Sequence, residues 1–275
     1  MLTVDNLRTV SDTKRAFYSH HTRPINSIYR QFVEELMVEM HLLSVNVNFQ
    51  YDPIYGYGVV STYEQFMQGY QPPQDKDSIF TALCQSINGD PEQYRQDAQR
   101  LEALALELSD DRAFNLLTQP QDVAVDALEN SDTAREIKEY LQAIANNSNF
   151  KYSRLFAIGL YTLLAKSNAE WLQKDDNWKS AFGKIAQALN LPEDKIVKDI
   201  DLYRSNLDKM QQARNLMQEI LKSNRKQQER RAQEKEKAQA NQSSEPSNKT
   251  SADGSEESST DSSSDNNPED RSPRS

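Results

Sequence analysis

Apolar residues along this chain recur mostly at intervals of three and four, the period of one helix face, and that spacing predicts helices almost throughout. The series Ile25, Ile28, Tyr29, Phe32, Val33, Leu36, Met40 and Leu43 marks a long helix, with Pro24 suited to its first position. Ser11 or Asp12 is placed to cap a short helix before it. Ile79, Phe80, Leu83, Cys84 and Ile87 define a helix over 75–87 that Gly89 ends, and Asp90-Pro91-Glu92 restarts the chain as cap, first turn and N-terminal charge. The stripe Tyr94, Ala98, Leu101, Ala105 and Leu108 follows, and further helices are expected over 111–118, 121–128 and 132–145. Residues 152–165 are apolar nearly all round, the pattern of a central buried helix. A helix over 177–190 leads to Leu191-Pro192-Glu193-Asp194, another proline-marked start. A weak alternation at 45–51 is the one hint of a strand, and the expected class is all-α.

Two stretches depart from the simple pattern. The first, FQYDPIYGYGVVSTYEQF at 49–66, crowds Tyr51, Tyr55, Tyr57 and Tyr63 around Pro53, Gly56 and Gly58. Proline and the glycines predict a bend there. Ser61 and Glu64 match a capping box that returns the chain to a short helix ending near Gly69, before Pro72 and Pro73 force a loop. Tyr51, Tyr55 and Tyr57 are candidates for a partner surface or for stacking on a base or pigment ring. The plainer reading is a core-filling connection, since tyrosine serves a core when its hydroxyl finds a partner.

The second stretch is the last helix. Ile196, Ile200, Tyr203, Leu207, Met210, Arg214, Met217 and Leu221 alternate steps of four and three, a heptad seam interrupted by Arg214. Such a seam packs equally well on the chain's own helices or on a second chain. Beyond Leu221 the seam stops, yet KSNRKQQERRAQEKEKAQA keeps strong helix formers. An exposed, net-basic continuation is expected, in which Arg225, Lys226, Arg230 and Arg231 are candidates for contact with an acidic partner face or an anionic membrane. Glu229, Glu234 and Glu236 dilute that charge, and a merely solvated helix is the alternative. From about residue 241 the chain is rich in Ser, Asp and Glu and is expected to be disordered, because it lacks apolar surface to offset its ordering entropy. The expected organisation is a helical domain over 1–192, a long coiled-coil-like helix over 193–240, and an acidic tail over 241–275.

Composition narrows the function. The formal net charge of −10 argues against a nucleic-acid partner, because phosphate binding requires a basic surface. The longest apolar run, at 155–165, is about half of the ~20 residues a bilayer span needs. The first residues lack the basic-then-apolar pattern of a signal peptide, so an unexported protein is expected. Cys84 is the single cysteine, which excludes an intrachain disulfide; its place on an apolar helix face suits a small buried hydrophobe.

Candidate chemistry is scarce. His20 and His21 are adjacent and so point to different helix faces. His41 lacks the E-x-x-H or H-E-x-x-H spacing of a metal-binding helix. With 7 glycines and no phosphate-loop, dinucleotide or nucleophile-elbow motif, nothing builds a phosphate cradle or an activated serine. The residues define no catalytic, cofactor-binding or metal site, and a non-enzymatic protein is expected.

Three long words then carry a resemblance. TVSDTKRAFYSHHTRPINSIYRQFVEELMVEMHLL, YDPIYGYGVVSTYEQFMQGY and FKYSRLFAIGLYTLL together resemble the thylakoid formation protein family over roughly residues 1–220. The resemblance implies an all-helical accessory protein without catalytic residues or cofactor. It implies a place on the cytoplasmic side of the thylakoid membrane, peripherally associated with it, in photosystem II assembly and repair. It further implies partners among the membrane-bound proteases of the FtsH class, whose accumulation such proteins support. A pigment- or metal-handling protein, or one that organises membranes by binding anionic lipid, is the alternative.

Overall fold

The computed structural model describes residues 8–126, 128–167, 172 and 177–242. Among them are ten α-helices, a short 3-10 turn at Pro120–Asp122 and no strand. The helices are α1 (Val10–His20), α2 (Ser27–Ser44), α3 (Pro53–Phe66), α4 (Asp75–Ser86), α5 (Pro91–Glu107), α6 (Asp110–Thr118), α7 (Ser131–Ala145), α8 (Arg154–Lys166), α9 (Asn177–Ala188) and α10 (Glu193–Gln242). The all-α expectation is met. The expected disordered tail lies outside the described residues.

The centre of the fold is the crossing of α3 and α8, the most extensive helix pair, with α5 packed next against α3. Every residue of α3 from Pro53 to Tyr63 is buried. α8 buries Leu155 to Leu160 and then Thr162 to Leu164. Helices buried on all sides need apolar residues all round, and both sequences supply them. The threonines are no exception, because Thr62 donates to the Gly58 carbonyl at 2.6 Å and Thr162 to the Ile158 carbonyl at 2.8 Å. Each hydroxyl is satisfied within its own helix and leaves no polar debt in the core.

Two glycines set how closely the pair approaches. A Cβ on Gly58 would stand 1.8 Å from the Leu155 carbonyl oxygen, and one on Gly159 would stand 2.0 Å from the Ile54 carbonyl oxygen. Neither helix can come this near unless both positions lack a side chain. The expected bend at Pro53, Gly56 and Gly58 is therefore corrected. Pro53 opens α3 at its first turn, where its missing N–H costs nothing, and Asp52 caps it by accepting from Tyr55 N at 2.8 Å. Ser61 and Glu64 sit in the middle of this helix and cap nothing. α3 ends after Phe66, and Gly69 takes a left-handed φ of 75° in the turn that follows.

Other boundaries also differ from expectation. Thr9, not Ser11 or Asp12, caps α1, and Asp12 closes a capping box with it. α2 starts at Ser27 behind Asn26, so Pro24 lies outside it; Ile28 is exposed while Tyr29, Val33, Leu36, Met40 and Leu43 are buried. After α4 the left-handed residue is Asn88, with φ 62°, and Gly89 N bonds back to the Cys84 carbonyl at 2.8 Å. The helix expected over 121–128 is reduced to the 3-10 turn and irregular chain, with Val123, Val125 and Leu128 buried. The strand hint at 45–51 is the cap of α2 and the turns after it.

Residue 192 marks the foot of α10, but the compact unit built on α3 and α8 continues to Glu219. Ile196 and Ile200 are fully buried, Tyr203 is nearly so, and Leu207 and Met210 pack against the core edge. Arg214, the flaw in the heptad seam, donates from Nη1 to the Gln65 carbonyl at 3.2 Å. It meets the last turn of α3, where unsatisfied carbonyls and the negative end of the helix dipole favour a cation. The second unit begins at Ile220, and its side chains from Ile220 to Glu234 are exposed.

Candidate functional site

The tyrosine segment reaches its positions because Asp52 and Pro53 start a helix within it. Tyr55 is completely buried, its ring edge-on to Phe49, Tyr51 and Tyr94 at centroid distances of 4.9, 5.9 and 6.1 Å. Tyr57 is 3% exposed, and its hydroxyl has no hydrogen-bond partner among the described residues. Tyr63, also buried, donates to the Lys76 carbonyl at 2.6 Å. Tyr51 is half-buried and donates to Asp97 Oδ2 at 2.8 Å. Arg100 holds the other oxygen of Asp97 at 2.5 Å and reaches Glu136 at 2.7 Å, while Tyr140 donates to the Tyr51 carbonyl at 3.1 Å. This network ties the start of α3 to α5 and α7. The expected partner or stacking surface is corrected for Tyr55 and Tyr57, which are core residues, and Tyr51 is occupied by Asp97.

Titration follows from burial. The Asp52 carboxyl is pushed up to about 7, chiefly because its charge is cut off from water. Burial pushes the Cys84 thiol up to about 12, so at neutral pH it stays protonated and inert. His21 and His41 are buried, and loss of solvent lowers both imidazoles below their ordinary value. Nδ1 of His21 pairs with Ser78 Oγ at 3.0 Å, and Nδ1 of His41 with Thr13 Oγ1 at 2.8 Å. These rings join helices α1, α2 and α4 as hydrogen-bonding core groups. No three described His, Cys, Asp or Glu side chains are placed to share a metal ion.

The second candidate set lies on α10. Arg225, Lys226, Arg230 and Arg231 are exposed, with Arg225 Nε 2.9 Å from Glu229 Oε1. Lys222, Lys226 and Arg230 recur every four residues and so share one side of the helix. Ile220 and Leu221 are 51% and 60% exposed, a large apolar area without cover at the beginning of this basic segment.

One concavity is formed by residues distant in sequence. A cleft of about 430 Å³ opens between α3, α4, α5 and α8, and Tyr57, Ser61, Glu64, Lys76, Glu102 and Lys166 are among the residues that line it. Tyr57, Ser61 and Glu64 follow one another at helical steps of four and three. That spacing places them on one face once α3 is known to be continuous, but it is masked when Ser61 and Glu64 are taken as a helix start.

A family model described as thylakoid formation protein matches residues 9–232. The fold and its long last helix thus belong to the class that the three words of sequence suggested: this chain is a member of the thylakoid formation protein family. It is 55% identical over 228 residues to Protein Thf1 of Nostoc sp., covering 83% of this chain and 94% of that one. It is 52% identical over 227 residues to Protein Thf1 of Gloeothece citriformis, covering 82% and 97%. Among solved structures, that of Psb29 superposes with a TM-score of 0.66 at 42% identity, over 80% of this chain and 98% of that one. Membership places the chain in thylakoid formation, with a role related to photosystem II. No helix among the described residues is long and apolar enough to cross a membrane.

Proposed function

We propose that this protein is a non-enzymatic accessory factor in thylakoid biogenesis and in photosystem II assembly and repair. It acts by binding and supporting membrane-bound proteases of the FtsH class, from the cytoplasmic side of the thylakoid and peripherally associated with it. The observation that carries the reading is the exposed basic segment of α10, with Arg225, Lys226, Arg230 and Arg231 in solvent behind the uncovered Ile220 and Leu221. A helix that keeps charge and apolar area outside its own core is suited to a partner's groove. Two of the three histidines and the cysteine support action by binding, since His21, His41 and Cys84 are each engaged in core packing or hydrogen bonding.

The test is recovery of thylakoid membrane proteins on the full chain and on a variant with Arg225, Lys226, Arg230 and Arg231 all replaced by Glu. Loss of the protease from the variant, with circular dichroism unchanged, is the expected result. Equal recovery from both chains overturns the reading. A parallel flotation on vesicles containing anionic lipid separates the rival in which the same segment binds the bilayer. That rival requires binding that weakens with salt, because exposed charges are screened over about 8–10 Å at 0.1–0.15 M.

A further inference from the structure

The second unit of the chain opens on a stretch of helix with a surplus of cations. Over 220–234, Lys222, Arg225, Lys226, Arg230 and Arg231 stand against Glu229 and Glu234, and all of these side chains are exposed. Glu229 is already tied to Arg225 at 2.9 Å. Lys222, Lys226, Arg230 and Arg231 have no ion-pair partner among the described residues. The first three of them recur about 6 Å apart along one side of α10. Such a face attracts an anion, and the same unit of the chain supplies one in its sequence.

Residues 250–268, TSADGSEESSTDSSSDNNP, carry Asp253, Glu256, Glu257, Asp261 and Asp265 and no Lys or Arg. The match to the family model ends at residue 232, so this acidic block is additional to what that model describes. Its length lets it reach the basic face. α10 runs to Gln242, and at 1.5 Å per residue Arg230 lies about 18 Å and Lys222 about 30 Å back along it. The chain from Gln242 extends up to about 36 Å by Asp253 and about 76 Å by Asp265, at 3.3 Å per residue. Both spans exceed the distances they must cover. Isolated surface ion pairs contribute little, but a tethered block meets the helix at an effective concentration on the order of millimolar. Apart from Ala252 and Pro268 the block has no apolar side chain to lay on Ile220 and Leu221, so charge alone carries the contact.

We propose that the acidic block over 250–268 folds back and docks on the basic side of α10, with its carboxylates against Lys222, Lys226, Arg230 and Arg231. The occupant of this face is the chain's own. A free anion of similar affinity displaces it only above the effective concentration that the tether provides. Ile220 and Leu221 stay uncovered beside it. One consequence rests on the function proposed above: a partner with an acidic surface must displace the block before it engages the helix, so the block regulates that docking. The contact itself stands without that reading.

Acetylation of lysines in the full chain, kept to single-hit extent and read by mass spectrometry, tests the contact. The comparison is between the parent and a variant carrying D253N, E256Q, E257Q, D261N and D265N. Lys222 and Lys226 are expected to react about two- to threefold faster in the variant at about 0.01 M salt, as release from a contact occupied half to two-thirds of the time implies. At about 1 M salt, where charges act over only about 3 Å, the two chains should react alike. Lys184, exposed on α9, is the internal standard. Equal rates at low salt overturn the proposal. Protection that fades on dilution also overturns it, because the block then covers a second copy; protection independent of protein concentration supports the tether. No membrane protease enters this assay, so its failure and failure of the recovery experiment above are told apart.

Discussion

Gly58 lies so close to Leu155 that a methyl group on it would stand 1.8 Å from the Leu155 carbonyl oxygen, and Gly159 repeats the relationship with Ile54 at 2.0 Å. The obstacle in each case is backbone, which cannot swing aside as a side-chain end can. α3 and α8 thus meet through paired glycines, and the whole core is arranged around that crossing.

Alanine at either glycine of this crossing meets backbone. In an exposed helix, Gly→Ala stabilises by about 1 kcal/mol. Here Gly58→Ala or Gly159→Ala forces the helices apart and is expected to destabilise by about 1–3 kcal/mol or more, as overpacked cores do. Gly183→Ala in α9 is the control, because the nearest atom to its added Cβ is the end of the flexible Glu193 side chain at 2.7 Å. Urea midpoints of the three variants should fall, fall and hold or rise, in that order.

Tyr55 and Tyr57 separate a core plug from a partner surface. Tyr55→Ala empties a site with no exposure and is expected to cost about 3–5 kcal/mol, the range for truncating a buried aromatic side chain. Tyr57→Phe removes an unpartnered hydroxyl and is expected to be neutral or slightly stabilising, since nothing is left unpaired. Thermal melts of both variants decide. An unchanged melting temperature for Tyr55→Ala contradicts its place in the core.

Asp52 gives the fold a pH dependence. Its folded value of about 7 stands above the ordinary 3.8, so between those values the folded chain holds a proton that the unfolded chain has released. The stabilising contribution is complete below about pH 4 and is lost as pH rises through about 7. Asp52→Asn keeps an oxygen for the Tyr55 N–H but cannot ionise. The stability difference between variant and parent, measured by denaturant titration, should therefore grow in the variant's favour from pH 4 to pH 8.

Arg214 is expected to act as a strap from α10 to the end of α3. Its contact with the Gln65 carbonyl is partly exposed, so Arg214→Ala should cost only about 0.5–1.5 kcal/mol. The loss should be local, seen as faster proteolysis near residues 65–70 before any change in the global melt. Arg214→Leu, which perfects the heptad seam, should weaken this end of α3 as well, because a leucine cannot satisfy a carbonyl.

Much of this architecture was legible in the chain. The three-and-four spacing located α2, α4, α5, α7 and α8 to within a few residues, because an amphipathic or wholly apolar period depends on local geometry alone. Asp90-Pro91 marks a helix start for equally local reasons, a side-chain oxygen for free N–H groups and a fixed φ at the first turn. Membership of the family was legible too, in long words that no short motif could match by chance.

What the chain could not disclose was the role of residues whose partners are distant in sequence. Proline and two glycines at 53–58 predict a break when judged locally, yet they begin and slim a central helix because α8, a hundred residues on, needs its backbone there. Arg214 interrupts a heptad until the end of α3 is seen beside it. Glu64 and Ser61 read as a cap until the helix is found to pass through them and turn their face, with Tyr57, into a cleft. Sequence by itself determined most of the helical segments and their apolar faces, since both follow from neighbours a few residues away. Only the tertiary structure decided which glycines are contacts, which tyrosines are core and which carbonyls Arg214 satisfies, because those depend on what other helices bring to the same place.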